Sequence, residues 1–102
     1  MTRPVQWSRE ALDDIKRQIA YIATDNPGAA RRIADRIRET GMALGKTATG
    51  RPGRVTGAYE KLVTGLPYII AYAIATKADR ETVSILRVIH TARDWPTEKW
   101  PE

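Results

Sequence analysis

His90 is the chain's single histidine, and it stands among residue types that move protons and bind anions: Arg87 before it, then Thr91-Ala92-Arg93-Asp94-Trp95-Pro96. A histidine near a carboxylate and a guanidinium can serve as a general base on a ribose 2′-hydroxyl. The same residues can instead fix the turn that leaves a strand, with His90 and Asp94 as its polar ties. Arg87 shares its strand face with Val83, Ile85 and Ile89 in a plain alternating reading. A charge there has to reach a rim, meet a partner's carboxylate or phosphate, or close an internal salt bridge, for which Glu60 is a candidate. Trp95 and Trp100 can stack on bases, anchor a protein contact, or fold back over a sheet.

Other chemistry is excluded by composition. One histidine and no cysteine leave no multi-histidine or thiolate metal site, and no cofactor is expected. No Ser/His/Asp triad is evident, and no carboxylate pair is placed as an acid/base couple. Gly45-Lys46-Thr47 resembles the end of a phosphate-binding loop, but Thr40 stands where the leading glycine is required and a helix precedes instead of a strand. The net charge of +5 and pI near 9.9 suggest an anionic partner, either nucleic acid or an acidic protein segment. Lys46, Arg51 and Arg54 form a stretch with no acid between them. The 102 residues suit one domain spanning 1–102, with the 42% hydrophobic and 28% charged content of a soluble protein. No apolar run approaches the roughly 20 residues a membrane helix needs, and Met1-Thr2-Arg3-Pro4 lacks a signal peptide's apolar centre. A cytoplasmic protein without membrane contact is expected.

The elements that position these residues can be read from spacing. Residues 3–7 predict a short first strand ending at Trp7. Ser8 suits a helix N-cap, and Trp7 with Leu12 fits a hydrophobic staple across it. Leu12, Ile15, Ile19 and Ile22 follow at helical spacing, with Asp13, Asp14, Lys16 and Arg17 assigned largely to the opposite side. Asp25-Asn26-Pro27 ends this helix and opens another, Asn26 capping and Pro27 at the first helical position. Ala30, Ile33, Ala34, Ile37 and Leu44 mark its apolar side, and Gly45 is read as its C′ residue. Residues 45–57 read as loop. Three strands then form an antiparallel meander: Tyr59 to Val63, Tyr68 to Ala75 and Thr82 to His90, with Lys77 to Glu81 as a polar turn. The fold class is therefore α+β, two-layer, a helical hairpin covering one face of a mainly antiparallel sheet.

In this order, several segments together resemble the RelE/ParE superfamily of toxins. They are Trp7-Ser8-Arg9-Glu10-Ala11-Leu12-Asp13-Asp14-Ile15, Tyr21-Ile22-Ala23 before Asn26-Pro27, Gly53-Arg54-Val55, and Tyr59-Glu60-Lys61-Leu62-Val63. Pro67-Tyr68-Ile69-Ile70-Ala71-Tyr72 and Ile85-Leu86-Arg87-Val88-Ile89-His90-Thr91-Ala92-Arg93-Asp94-Trp95-Pro96 complete the set. The resemblance covers nearly the whole chain. Its RelE branch implies ribosome-dependent mRNA cleavage by Lys and Arg on the central strands plus a C-terminal Tyr. Aligned by eye, those positions hold Glu60, Leu62, Ile69, Thr91 and Thr97, while Lys61, Arg87 and Arg93 stand at shifted positions. Isoleucine cannot replace a cation that stabilises developing phosphorane charge.

The segment Asp25-Asn26-Pro27-Gly28-Ala29-Ala30 and Pro67-Tyr68-Ile69-Ile70 before Tyr72 look like the ParE branch. That branch implies inhibition of DNA gyrase with no chemistry of its own, and a cognate ParD-like antitoxin in a hetero-oligomer. Target contact is expected at Arg87, His90, Arg93, Asp94 and Trp95. Antitoxin contact is expected at Arg31, Arg32, Arg36 and Arg38, which outnumber Asp35 and Glu39 on the second helix. The alternative is a metal-independent endoribonuclease with Arg87, His90 and Arg93 as its catalytic candidates. A third reading, a basic nucleic-acid-binding module, is less favoured.

Overall fold

The computed structural model describes residues 2–53 and 56–91. Their elements run β1 (Val5–Trp7), α1 (Arg9–Ala23), α2 (Pro27–Ala43), β2 (Arg51–Pro52), β3 (Tyr59–Leu62), β4 (Tyr68–Lys77) and β5 (Arg80–His90). Both helices start where their caps stand. Ser8 Oγ accepts from Ala11 N at 3.0 Å, and Asn26 Oδ1 accepts from Ala29 N at 3.0 Å with Pro27 opening the helix behind it.

The five strands form one mixed sheet in the order β1-β5-β4-β3-β2, antiparallel except for β1 against β5. A two-layer α+β architecture results, with the helical hairpin on one sheet face. Ile37 and Leu44 from the helical layer meet Tyr68, Ile70, Tyr72, Val83, Ile85 and Val88 from β4 and β5 in the core. Trp7 packs at its edge over Gly41, where a Cβ would lie 2.5 Å from the indole carbons. Glycine there is what lets α2 approach β1 so closely.

Several local expectations are corrected. Residues 45–57 are not all loop, because Arg51 and Pro52 pair with Glu60 and Tyr59 as an edge strand. Proline is tolerated at an edge, where its missing N–H breaks no ladder. The turn after β4 is only Ala78–Asp79, both with positive φ (51° and 63°), so the flanking strands extend to Lys77 and Arg80. Gly45 follows the α2 cap as expected but is not left-handed. Its need for glycine is contact: a Cβ would lie 2.6 Å from the Arg3 carbonyl oxygen.

The largest correction concerns α1. Its most buried residues are Ala11, Asp14 and Gln18, while Leu12 is 48% exposed. This polar stripe has a structural cause. β1 accompanies β5 only to Ile85, and beyond it α1 supplies the ladder partners. Ser8 N donates to Ile85 O and Ser8 Oγ to Leu86 O, at 2.9 and 2.8 Å. Asp14 Oδ2 accepts from Val88 N at 2.9 Å, and Gln18 Nε2 donates to Val88 O at 3.2 Å. Side chains of a helix thus close a strand edge that would otherwise bury unpaired backbone groups.

Candidate functional site

The pairing of β4 with β5 slips by one residue at Ala71/Tyr72: Tyr72 faces Ile85 and Ala71 faces Arg87. Leu86 is the extra residue of a β-bulge, and a bulge inverts the alternation beyond it. Val83 and Ile85 point into the core before it, Val88 after it. Arg87 therefore does not share a face with Val83 and Ile85, as plain alternation predicts. Nor does it share one with His90, since an odd number of positions separates the two along a regular strand.

Arg87 is tied to α1. Its Nε donates to Asp14 Oδ2 at 2.7 Å and its Nη2 to Asp14 Oδ1 at 2.8 Å, a two-pronged pair with side-chain exposures of 17% and 2%. Arg17 Nη2 adds a third guanidinium contact to Asp14 Oδ1 at 3.0 Å. The internal partner of Arg87 is thus Asp14, an acid assigned from sequence to the solvent side of its helix, rather than the proposed Glu60. The missed signal was the buried register itself: Ala11, Asp14 and Gln18 recur at three- and four-residue spacing like any helix face.

His90 ends β5 opposite Tyr68, half-buried, with its ring edge-on to the Tyr68 ring at 5.3 Å and 87°. Arg93, Asp94 and Trp95 lie outside the described residues, as do Thr97 and Trp100.

Glu60, Leu62 and Ile69, the positions aligned with ribonuclease cations, line one groove of about 530 Å³ at the sheet edge, together with Arg51, Lys61 and the Thr64–Gly65 turn. Leu62 pairs with Ile69 and Glu60 with Ala71, which puts all three side chains on one sheet face. Glu60 is 9% exposed and Leu62 55%, so a carboxylate and two apolar side chains occupy that surface.

On the other end of the sheet connection, Tyr72 donates from its hydroxyl to Thr49 O at 2.7 Å and stacks on Tyr59, centroids 5.6 Å apart. Burial pushes the Tyr72 phenol above the usual tyrosine range, Tyr59 adds to the rise and Arg3 opposes it. Among the described residues no group of three or more His, Cys, Asp or Glu could hold a metal ion, and no helix is long and apolar enough to cross a membrane.

The four α2 arginines are exposed but do not form one patch. Arg31 and Arg38, seven apart, share one flank of the helix; Arg32 and Arg36, four apart, share the other. Arg36 Nη2 donates to the Thr64 carbonyl at the β3–β4 turn, whereas Arg38 faces α1 across a groove between the helices.

Comparison with known proteins places this geometry. Residues 5–95 match the family described as the ParE toxin of the type II toxin–antitoxin system parDE. The chain belongs to the ParE toxin family. It is a toxin of the ParE/RelE superfamily of type II toxin–antitoxin systems. A relative from Sinorhizobium fredii strain NGR234, named "Putative toxin Y4kP", is 38% identical over 93 residues, covering 90% of this chain and 92% of that one. Among solved structures, the chromosomal ParDE system of P. aeruginosa superposes with a TM-score of 0.78 at 22% identity, over 87% of this chain and 96% of the other. The RelBE2 toxin–antitoxin complex of Mycobacterium tuberculosis gives 0.61 at 23% identity, over 88% and 99%. At these identities the structural likenesses establish the fold, which this ParE-family toxin shares with members of both branches.

Proposed function

We propose that this ParE-family toxin acts by binding DNA gyrase, without chemistry of its own, and that a cognate ParD-like antitoxin neutralises it in a cytoplasmic hetero-oligomer. The observation that carries the reading is the surface shared by Glu60, Leu62 and Ile69. The RelE-like mechanism puts cations at these positions, and here they gather in one groove as a carboxylate and two apolar side chains. Neither a carboxylate nor an apolar side chain can stabilise the charge that develops on phosphate in a ribonuclease, and the cations of the groove, Arg51 and Lys61, stand at other positions. Strand alternation adds support, because it leaves Arg87 and His90 on opposite sheet faces, with Arg87 engaged by Asp14.

The target-facing part is the end of β5 and the residues after it, with His90, Arg93, Asp94 and Trp95 as contacts. Arg87 serves this end through Asp14, by holding β5 in its register. The antitoxin docks on the helical hairpin, whose Arg31, Arg32, Arg36 and Arg38 attract an acidic segment. Replacing Arg93 and Trp95 with alanine is expected to abolish growth arrest while leaving thermal stability and antitoxin binding at wild-type values. Full toxicity in the folded double variant would move the target surface elsewhere.

A further inference from the structure

Strand β4 is longer than the strand beside it, and the excess leaves an open sheet edge. β3 accompanies β4 only as far as the Tyr59–Tyr72 pair, while β4 runs on to Lys77. Val63 N donates to Tyr68 O and Thr91 N to Pro67 O, which fixes the phase of the ladder. Tyr68, Ile70 and Tyr72 turn their backbone groups toward β3. Ile74 and Thr76 continue that phase, because the bulge interrupts β5 and not β4. Among the described residues nothing pairs with their N–H and C=O groups. Ile74 is half-buried against the core, whereas Ala75 and Thr76 are exposed.

The other sheet edges carry features that discourage pairing. β2 is a two-residue strand containing Pro52, and β1 is three residues long with Pro4 before it. From Ala73 to Thr76 there is neither charge nor proline. The open run has steric limits: β3 occupies the edge up to Tyr72, and the turn begins at Ala78. Ala75 is the middle of what remains. A second copy, related by a two-fold axis through Ala75, sets Ile74 opposite its own Thr76. Those two residues then exchange backbone bonds and pair β-branched side chains on the helix-facing side. Ala75 meets Ala75, and Lys77 lies opposite Ala73 rather than opposite itself. A chain of net charge +5 can therefore meet itself here without opposing like charges. Nucleic acid has no strand backbone to fill the edge, and an acidic segment finds no cation between Ala73 and Thr76 to select it.

We propose that this toxin forms a two-fold dimer through antiparallel pairing of residues 73–77, joining the two sheets into one continuous sheet. The joint lies at the turn end of the β4–β5 hairpin, whereas His90 stands at the other end beside Tyr68. The two His90 ends are thus held away from the joint. A contact made by one short strand edge belongs with the small, weak interfaces, so the dimer forms at high protein concentration.

The test is sedimentation velocity of the full chain from about 10 μM to about 1 mM, the range in which a small interface becomes populated. Wild type is expected to pass from monomer to dimer across it. Thr76→Pro removes an outward N–H where an edge strand tolerates proline, and should raise the dissociation constant about tenfold or more. Ala75→Lys and Ala75→Glu each set like charges across the axis, and each alone should weaken the dimer severalfold. Mixed in equal amounts, the two should recover wild-type association, because an axis at Ala75 sets Lys against Glu. Ala75 is exposed, so both variants should melt at the wild-type temperature, and they decide the matter if Thr76→Pro does not fold. A wild-type chain that stays monomeric throughout overturns the proposal. So does a dimer that both Ala75 variants leave unchanged, or a mixture that associates no more tightly than either variant alone. Antitoxin binding lost in a folded Thr76→Pro chain, with wild type monomeric, gives the edge to an antitoxin strand instead.

Discussion

Asp14 receives the Arg87 fork, the Arg17 guanidinium and the Val88 N–H while remaining 1% exposed. A carboxylate buried to this degree is tolerable only because those donors replace water. Removing Arg87 would leave the buried carboxylate with only the exposed Arg17 and the Val88 N–H, and breaking such a pair costs about 3 kcal/mol. Urea denaturation of Arg87→Ala is therefore expected to show a loss near that size. Arg87→Lys should recover less than half, since an ammonium cannot reproduce the two-pronged geometry. Arg17→Ala, at a side chain 59% exposed, should cost less than about 1 kcal/mol. A loss below about 1 kcal/mol for Arg87→Ala would contradict this description of the pair. The distinction matters for function, because reduced toxicity in an Arg87 variant can arise from a loosened β5 rather than a lost target contact.

The connection from α2 to β2 has few apolar anchors, and the Tyr72 hydroxyl bonded to Thr49 O is one of its ties to the sheet. The folded protein holds this phenol protonated to higher pH than the unfolded chain, whose tyrosines titrate near pH 10. The native state then binds more protons than the unfolded state above that pH, so the contribution is complete below about pH 10 and is lost as pH rises through the folded value. Denaturation curves across about pH 9 to 11 should show a steeper loss of stability for wild type than for Tyr72→Phe. Equal slopes would mean the phenol is not held by burial. Elements with strong period were legible: both helices and their caps at Ser8 and Asn26 stand where spacing placed them, and the three strands of the meander differ from that placement only at their ends. What escaped was set by tertiary contact. The Arg51–Pro52 strand exists only through its pairing with β3, and the bulge at Leu86 leaves no mark in an apolar run. Asp14 and Gln18 were buried because β5 outruns β1, a fact of topology that helical amphipathicity alone reverses.

For the molecule as a whole, α1 joins two roles: its inner side completes the sheet edge through Ser8, Asp14 and Gln18, and its outer side forms half of the hairpin groove. Inner residues hold β5 in its register, and outer residues stay on the exposed side of the hairpin. Family membership and overall fold do not separate the two branches, since ParDE and RelBE2 structures both superpose on the chain. The separation rests on Glu60, Leu62 and Ile69, whose shared face was implicit in the sequence alignment but became a single surface only when β3 and β4 were paired. The measurement that bears on it most directly is a pair of reactions with the purified chain: supercoiling of relaxed plasmid by DNA gyrase, and integrity of mRNA on translating ribosomes. Inhibited supercoiling with intact mRNA is expected. Cleaved mRNA with normal supercoiling would contradict the gyrase reading and return Arg87, His90 and Arg93 to the position of catalytic residues.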